Sequence, residues 1–223
     1  MAKATKAKAT LTISSKNYSS WSLRGWLICR MAGLAFDEIL QGNDDPSTRA
    51  ELLLLSPSFL VPCLRHEGIT VWDTLAIAEY LNERFPGSPL LPTDLAARTR
   101  CRSICGEMHS GFSALRSALP MNIKADHKGF KVWAGAQADV DRIVAIWREC
   151  LDTHGGPFLF GAVPSLADAM YAPVCFRFHT YDVKLDKACK AYVARVLALP
   201  DVLEWAAAAR LEPDELEELD VEF

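Results

Sequence analysis

"NYSSWSLRGW", residues 17–26, is the stretch on which the reading of this chain turns. Three serines crowd around a tryptophan, with a strand pattern before them and a helix pattern after them. "TLTIS" (10–14) alternates and is rich in β-branched residues, which predicts a strand. "SLRGWLICRMAG" (22–33) puts Leu23, Trp26, Leu27 and Met31 on one stripe of a helix that stops at Gly33. A parallel strand that feeds a helix leaves backbone N–H groups at the mouth of a sheet, where the helix dipole favours an anion. The serines occupy that corner. In one reading they cap the helix, with Ser20 or Ser22 satisfying its orphan N–H groups. That employs one serine and leaves two unexplained. In the other reading a spare hydroxyl donates to a bound anion, a task that needs no general base. No His–Asp pair lies nearby in the sequence and there is no G-x-S-x-G turn, so a serine nucleophile is poorly supported. Spacing alone leaves capping and anion binding both open.

Outward from this corner the pattern continues as a small mixed domain. "AFDEILQ" (35–41) reads as a second strand, and "GNDDPS" as a turn that hands Pro46 to the first position of a helix in "PSTRAELLLL". A short strand follows Pro62, "EG" turns, and "ITVW" (69–72) returns in hairpin register. "DTLAIAEYLNERF" (73–85) is a helix with Leu75, Ile77, Ala78 and Leu81 inward. The order β-α-β-α-β-β-α predicts a compact two-layer unit. "PGSPLLPTD" (86–94) is a proline-rich linker, and after it only helical patterns follow: 95–120, 132–154, 164–181, 187–200 and 201–213. The expected fold class is α+β. Residues 1–9 form a disordered leader, 10–85 the mixed domain, 86–94 the linker and 95–223 an all-α domain ending in the solvated acidic tail "DELEELDVEF".

Composition narrows the partners. The chain has 223 residues and a formal net charge of −4, which argues against nucleic acid, whose phosphates require a clustered basic surface. No apolar run approaches the ~18 residues of a membrane span. Of the seven cysteines none forms a CxxC pair, and most lie in apolar helical patterns, as expected of reduced, buried thiols in a cytosolic protein. Cys101 and Cys105 share a helix face, but no His or Cys completes a ligand set, so no metal site is expected.

Three further segments carry candidate chemistry. In "VPC" (61–63) a proline opens a strand. Sequence alone favours an ordinary trans edge proline, the alternative being a cis bond that exposes the backbone of Val61 to a ligand. In "WDTLAIAEYL", Asp73 or Thr74 caps a helix, or Thr74 and its neighbouring N–H groups hold a carboxylate while Asp73 pairs with an amine. In "PSLADAMYAP", Ser165 and Asp168 have capping-box spacing and read as structural.

Taken in this order, these features resemble a cytosolic glutathione transferase of the serine type. "SSWSLRGWLICRMAG" is similar to the zeta and tau serine motif, "FLVPCL" to the Val-cis-Pro segment, "DT" to the usual Glu-Ser or Gln-Ser, and "SLADAMYAP" to the family's capping box. The resemblance implies a thioredoxin-like domain followed by an all-α domain, with glutathione as co-substrate, a small-molecule electrophile, a homodimer and a cytoplasmic location. Counting back from Gly33, it implies Ser19 as the catalytic hydroxyl, with Ser20 and Ser22 as alternates. It implies Val61, Pro62, Asp73 and Thr74 as glutathione contacts. The electrophile pocket is expected between the domains, lined from "EMHSGFSALR" by Met108, His109, Phe112 and Arg116, although core packing explains Met108 and Phe112 equally well. The lack of cysteine in 17–22 argues against glutaredoxins and cysteine-type transferases. Two departures stand out: Leu60 where many members place Lys or Gln, and Trp21 where the zeta isomerases have Cys. Arg24, at the start of a helix whose dipole it opposes, is expected to pair with an acid rather than to add positive potential near the thiolate. Arg177, within "VCFRF", is either a buried pair or a contact to an anionic substrate.

Overall fold

The computed structural model describes residues 9–41 and 60–212. The helix expected after Pro46, the tail beyond Glu212 and residues 1–8 of the expected leader lie outside the described residues. Ala9 does not belong to a leader: it is the first residue of β1 (Ala9–Ile13), is buried and pairs with His66. β1 runs into α1 (Ser20–Met31), and the chain returns as β2 (Asp37–Leu40), parallel to β1. β3 (Cys63–His66) pairs antiparallel with the other side of β1, and β4 (Ile69–Trp72) pairs antiparallel with β3, giving the order β2-β1-β3-β4. Both turn residues of the β3–β4 hairpin, Glu67 and Gly68, have positive φ, the conformation that matches a two-residue turn to the twist of its strands. α2 (Thr74–Arg84) closes this layer, with Ile77, Ala78 and Leu81 buried and Leu75 only partly so.

α1 is not the one-sided helix that the stripe of Leu23, Trp26 and Leu27 predicts. Ser20, Ser22, Arg24 and Gly25 are buried as well, because α1 lies between its own sheet layer and the long central helix of the second domain. Gly25 permits one of these approaches. A Cβ there would sit 2.4 Å from Cγ of Pro62, so only glycine lets the segment after residue 60 press against α1. The Val61–Pro62 peptide is cis, against the trans bond that sequence alone favours and in keeping with the resemblance.

The second layer is helical throughout: α3 (Leu95–Ser110), α4 (Ser113–Ala118), α5 (Ala134–His154), α6 (Leu166–Thr180), α7 (Lys187–Leu197) and α8 (Pro200–Arg210). The single helix expected over 95–120 is two. Gly111 ends α3 with its N–H on Glu107 O, and Phe112 takes a left-handed φ of 61° that turns the chain into α4. α6 is the core of this layer and is buried at every position except His179, which explains an apolar run too uniform to show a stripe. Trp147 of α5 packs edge-on against Tyr171 of α6 and Tyr192 of α7. All seven cysteines are buried. Among the described residues no helix is long and apolar enough to cross a membrane, and no cluster of ligating side chains fits a metal ion.

Candidate active site

The β1–α1 corner is ordered by its serines. Ser19, not Ser20 or Ser22, is the N-cap of α1. Its Oγ accepts the Ser22 N–H at 3.2 Å, while its hydroxyl donates to Ser22 Oγ at 2.9 Å. Ser20 and Ser22 already lie inside the helix, so only the preceding residue has the extended backbone a cap requires. Ser22 Oγ also accepts the Ser14 N–H at 3.0 Å, tying the end of β1 to the helix. Ser20 accepts from Arg177 at 3.3 Å. Ser20 and Ser22 are both buried, and Ser19 alone of the three is partly open to solvent.

The loop before the cap is held from the second layer. Asn17 is fully buried. Its Oδ1 accepts the Ile123 and Lys124 N–H groups at 2.7 and 3.0 Å, and its amide donates to Asn122. The Glu212 carboxylate accepts the Ser15 hydroxyl and the N–H groups of Lys16 and Asn17, and Trp205 donates to Lys16 O at 2.8 Å. Neither grip was visible in the sequence, since the partners lie about 105 and 196 positions away.

The other wall is built by β3, α2 and the end of α3. The cis-proline segment meets α1 at Gly25. Asp73 caps α2 from a backbone with φ of 74°, its Oδ1 accepting the Leu75 and Ala76 N–H groups at 2.8 and 3.3 Å. Its other oxygen, Oδ2, lies 2.5 Å from His109 Nε2. Thr74 is buried, and its hydroxyl has no partner among the described residues. His109 in turn meets the Trp21 ring edge-on at 5.1 Å, so the starts of α1 and α2 and the end of α3 converge on one tryptophan. Leu60 is 64% exposed.

Around Trp21 the structure gathers positive charge. The guanidinium carbons of Arg24 and Arg116 lie 4.6 and 4.7 Å from its ring centre, within cation–π distance. Among the described residues Arg24 has no acid partner, contrary to the pairing expected of it: Nε donates to Met170 O at 2.8 Å and Nη2 to Met108 Sδ at 3.2 Å. Arg116 donates to the carbonyls of Met108, Gly111 and His109. Burial, followed by the charges of Arg116 and Arg177, lowers the Arg24 pKa well below the usual guanidinium range. Burial, with the Arg116 charge, brings Arg177 down to about 10. Of the expected pocket residues, Met108 and Phe112 are packed in the core, while His109 and Arg116 face the Trp21 cluster. Ser165 and Asp168 lie at the start of α6, away from this cluster. The Ser165 N–H and hydroxyl both donate to Asp168 Oδ2, at 2.7 and 2.9 Å. A groove of about 770 Å³ runs along the linker between Pro86 and Ser165 and involves none of the corner residues.

Both halves of the chain match one family: the glutathione S-transferase N-terminal domain over residues 18–84 and the C-terminal domain over residues 96–208. The chain is 28% identical over 168 residues to glutathione S-transferase 1 of Dianthus caryophyllus, covering 73% of this chain and 75% of that one. It is 30% identical over 131 residues to a probable maleylacetoacetate isomerase of Drosophila melanogaster, covering 59% of this chain and 56% of the isomerase. A solved glutathione transferase homolog from Burkholderia, with bound glutathione, superposes with a TM-score of 0.69 at 22% identity, covering 91% of this chain and 97% of that one. The chain belongs to the glutathione S-transferase family: a thioredoxin-like domain joined to an all-α domain, in a glutathione-dependent enzyme.

Proposed function

We propose that this enzyme conjugates glutathione to small electrophiles, with the Ser19 hydroxyl donating to the glutathione thiolate. One observation carries the choice of serine: Ser19 is the one hydroxyl of the three that reaches solvent, Ser20 and Ser22 being buried in the first turn of α1. A free thiol has a pKa of about 8.5, and lowering it by about two needs ~2.7 kcal/mol of preference for the charged form. A charge-assisted hydrogen bond of ~1.5–3 kcal/mol is of that size, and the N-terminal end of α1 adds to it. The Ser19 proton turns from Ser22 Oγ to the sulfur, while its lone pairs keep the Ser22 N–H. The thiolate then forms a C–S bond at the electrophilic carbon, and a leaving group departs with its electron pair or the adduct takes up a proton. Val61 offers its backbone beside the cis proline, Thr74 offers a buried hydroxyl, unpartnered among the described residues, to a carboxylate, and Asp73, already paired with His109, faces the amine. The reading includes the cytoplasmic homodimer that the family resemblance implies.

A second reading, glutathione-dependent cis–trans isomerisation, is supported by the similarity to a probable maleylacetoacetate isomerase and by the serine motif. In it the C–S bond forms, the former double bond rotates, and the thiolate leaves unconsumed. Ser19→Ala tests both. It should lower kcat/KM by roughly 10–100-fold while changing glutathione affinity little. Turnover equal to wild type removes Ser19 from the chemistry.

A further inference from the structure

α8 lies along α1 as an antiparallel splint. Asp201 and Glu204, at the start of α8, pair with Arg30 near the end of α1 at 2.8 and 2.9 Å. Trp205 packs against Trp26 of α1 with ring centres 5.5 Å apart. Beyond the end of α8, Glu212 meets the loop that enters α1. That loop closes on itself in part. The Ser15 carbonyl accepts the Ser19 N–H at 3.0 Å. Ser15 Oγ accepts the Asn17 and Tyr18 N–H groups at 3.1 and 3.2 Å, which uses its lone pairs and leaves its proton to be given elsewhere. The Glu212 carboxylate takes what the loop turns outward. Its Oε2 accepts the Ser15 hydroxyl at 2.7 Å and the Asn17 N–H at 3.1 Å, and its Oε1 accepts the Lys16 N–H at 2.5 Å. Successive N–H groups aimed at one carboxylate make a nest, and bonds to a charged acceptor are about twice as strong as neutral ones. The contact is anchored on both sides: Lys124 Nζ donates to the Glu212 carbonyl, and Trp205 Nε1 donates to Lys16 O.

We propose that Glu212 is a positioning residue for the Ser19 hydroxyl, holding the Ser15–Ser19 turn from the end of α8 so that the hydroxyl meets the glutathione sulfur. The inference rests on the reading of the preceding subsection, in which Ser19 is the donor. The path is short. Glu212 fixes the Ser15 hydroxyl, Ser15 Oγ holds the backbone of residues 17 and 18, and the Ser15 carbonyl holds the Ser19 N–H. With its proton committed to Glu212, the Ser15 hydroxyl keeps its lone pairs on residues 17 and 18. Without the carboxylate that hydroxyl is free to rotate, and the Lys16 N–H is left to water. A hydrogen bond to the sulfur weakens steeply when its donor is misplaced, so a small relaxation of the turn is felt in the thiolate before it is felt in the fold. The fold keeps other ties at this corner: the Asn17 side chain still binds residues 122–124, and Ser19 still caps α1.

The test titrates the thiolate absorbance of the glutathione-saturated enzyme against pH in wild type, Glu212→Ala, Ser19→Ala and the double variant. Glu212→Ala should raise the pKa of the bound thiol by about one unit, roughly a tenfold loss of thiolate population, and Ser19→Ala should raise it further. Loss of a negative charge by itself would lower that pKa, so the sign separates positioning from simple electrostatics. At about pH 5.5, where the bound thiol is protonated throughout, glutathione affinity should change by less than about twofold. Glu212→Gln keeps the size and one acceptor oxygen. It should raise the pKa less than the Ala variant does, and it keeps the test open if that variant unfolds. In the double variant the Ser19→Ala shift should stand unchanged, because Glu212 acts through Ser19. A pKa equal to or below wild type in the folded Glu212 variants, or a double-variant shift equal to the sum of the single ones, overturns the positioning role and leaves Ser19 in place. A titration that Ser19→Ala does not move removes the donor reading, and the positioning role falls with it.

Discussion

Two helix starts in this chain share a spacing and differ in charge. Ser19 and Ser22 open α1; Ser165 and Asp168 open α6. Both place a serine at the N-cap and a polar residue three positions on. At α6 the third residue is a carboxylate. Asp168 accepts from the Ser165 N–H and hydroxyl, the Leu159 N–H and the Tyr192 hydroxyl, and the positive end of the helix is met from within. At α1 the third residue is another hydroxyl, the first turn holds no acid, and Arg24 and Arg177 lie nearby. The same local device is sealed in one place and left positive in the other. The sealed corner holds up the core; the positive one is where an external anion gains most.

The sharpest way to break the comparison is to unseal the closed corner. Burial raises the Asp168 carboxyl above its ordinary value, and its four donors pull it back. Asp168→Ala strands buried donors of three residues at once, each worth about 1–3 kcal/mol when left unmet, so a loss of roughly 3–5 kcal/mol is expected in urea unfolding. If α6 tolerates the change with a loss under ~1 kcal/mol, as a solvated cap would, the closed corner is not the buried support described here.

The converse is to seal the open corner. Ser22→Asp puts a carboxylate where Ser22 Oγ now takes the Ser14 N–H and the Ser19 hydroxyl. It would claim the Ser19 proton and face the thiolate with like charge. Repulsion of ~2 kcal/mol, for charges about 8 Å apart at an effective dielectric of 20, corresponds to roughly thirtyfold in thiolate population. Ser22→Asn, of nearly equal size and uncharged, is the control. Thiolate absorbance of the glutathione complex, titrated against pH, should place the Asp variant's thiol well above the Asn variant's. Equal titrations in the two would mean that charge at this corner does not govern the sulfur.

What was legible in advance follows the range of the physics. Alternation in "TLTIS", the "EG" turn and the apolar run of 164–181 are local signals, and they located β1, the β3–β4 hairpin and α6. The family resemblance brought Ser19, the cis proline and Asp73 to attention together, and the starts of α1 and α2 do converge, through His109 and Trp21. The cap was misassigned because Ser19, Ser20 and Ser22 are chemically equal and only the first helical φ/ψ distinguishes them. The break at Gly111–Phe112 was missed because one glycine interrupts a helical pattern too little to end it on paper. Arg24 and Arg177 stand out in the sequence as charges in helical patterns, yet their lack of acid partners among the described residues depends on residues up to 157 positions away and emerges only when α1 and α6 pack. The Glu212 grip on residues 15–17 is of the same kind.

A third helix start sharpens the comparison at its weak end. At α7 the cap is itself the carboxylate: Asp186 accepts the Ala188 and Cys189 N–H groups at 2.8 and 3.0 Å and pairs with Arg148 at 2.7 Å. The Cys189 N–H above all, with the Arg148 guanidinium and the Ala188 N–H, holds its pKa down at about 2, against an ordinary 3.8. A carboxyl depressed in the folded state stabilises it above the unfolded value and loses that contribution as pH falls through the folded one. Asp186 therefore supports α7 fully above about pH 4 and progressively less toward pH 2. The group is partly exposed, so solvent screens the effect and it is small. Asp186→Ser makes this start resemble Ser19 at α1. At neutral pH the exchange of one good cap for another should cost only a few tenths of a kcal/mol, about the resolution of a melt. Its signature is the slope: thermal midpoints of the variant should fall less steeply than wild type between about pH 4 and 2. Parallel slopes would show that the charge on a cap makes no difference where water can reach it, and that charge at the α1 corner matters only because Ser22 and the arginines behind it are buried.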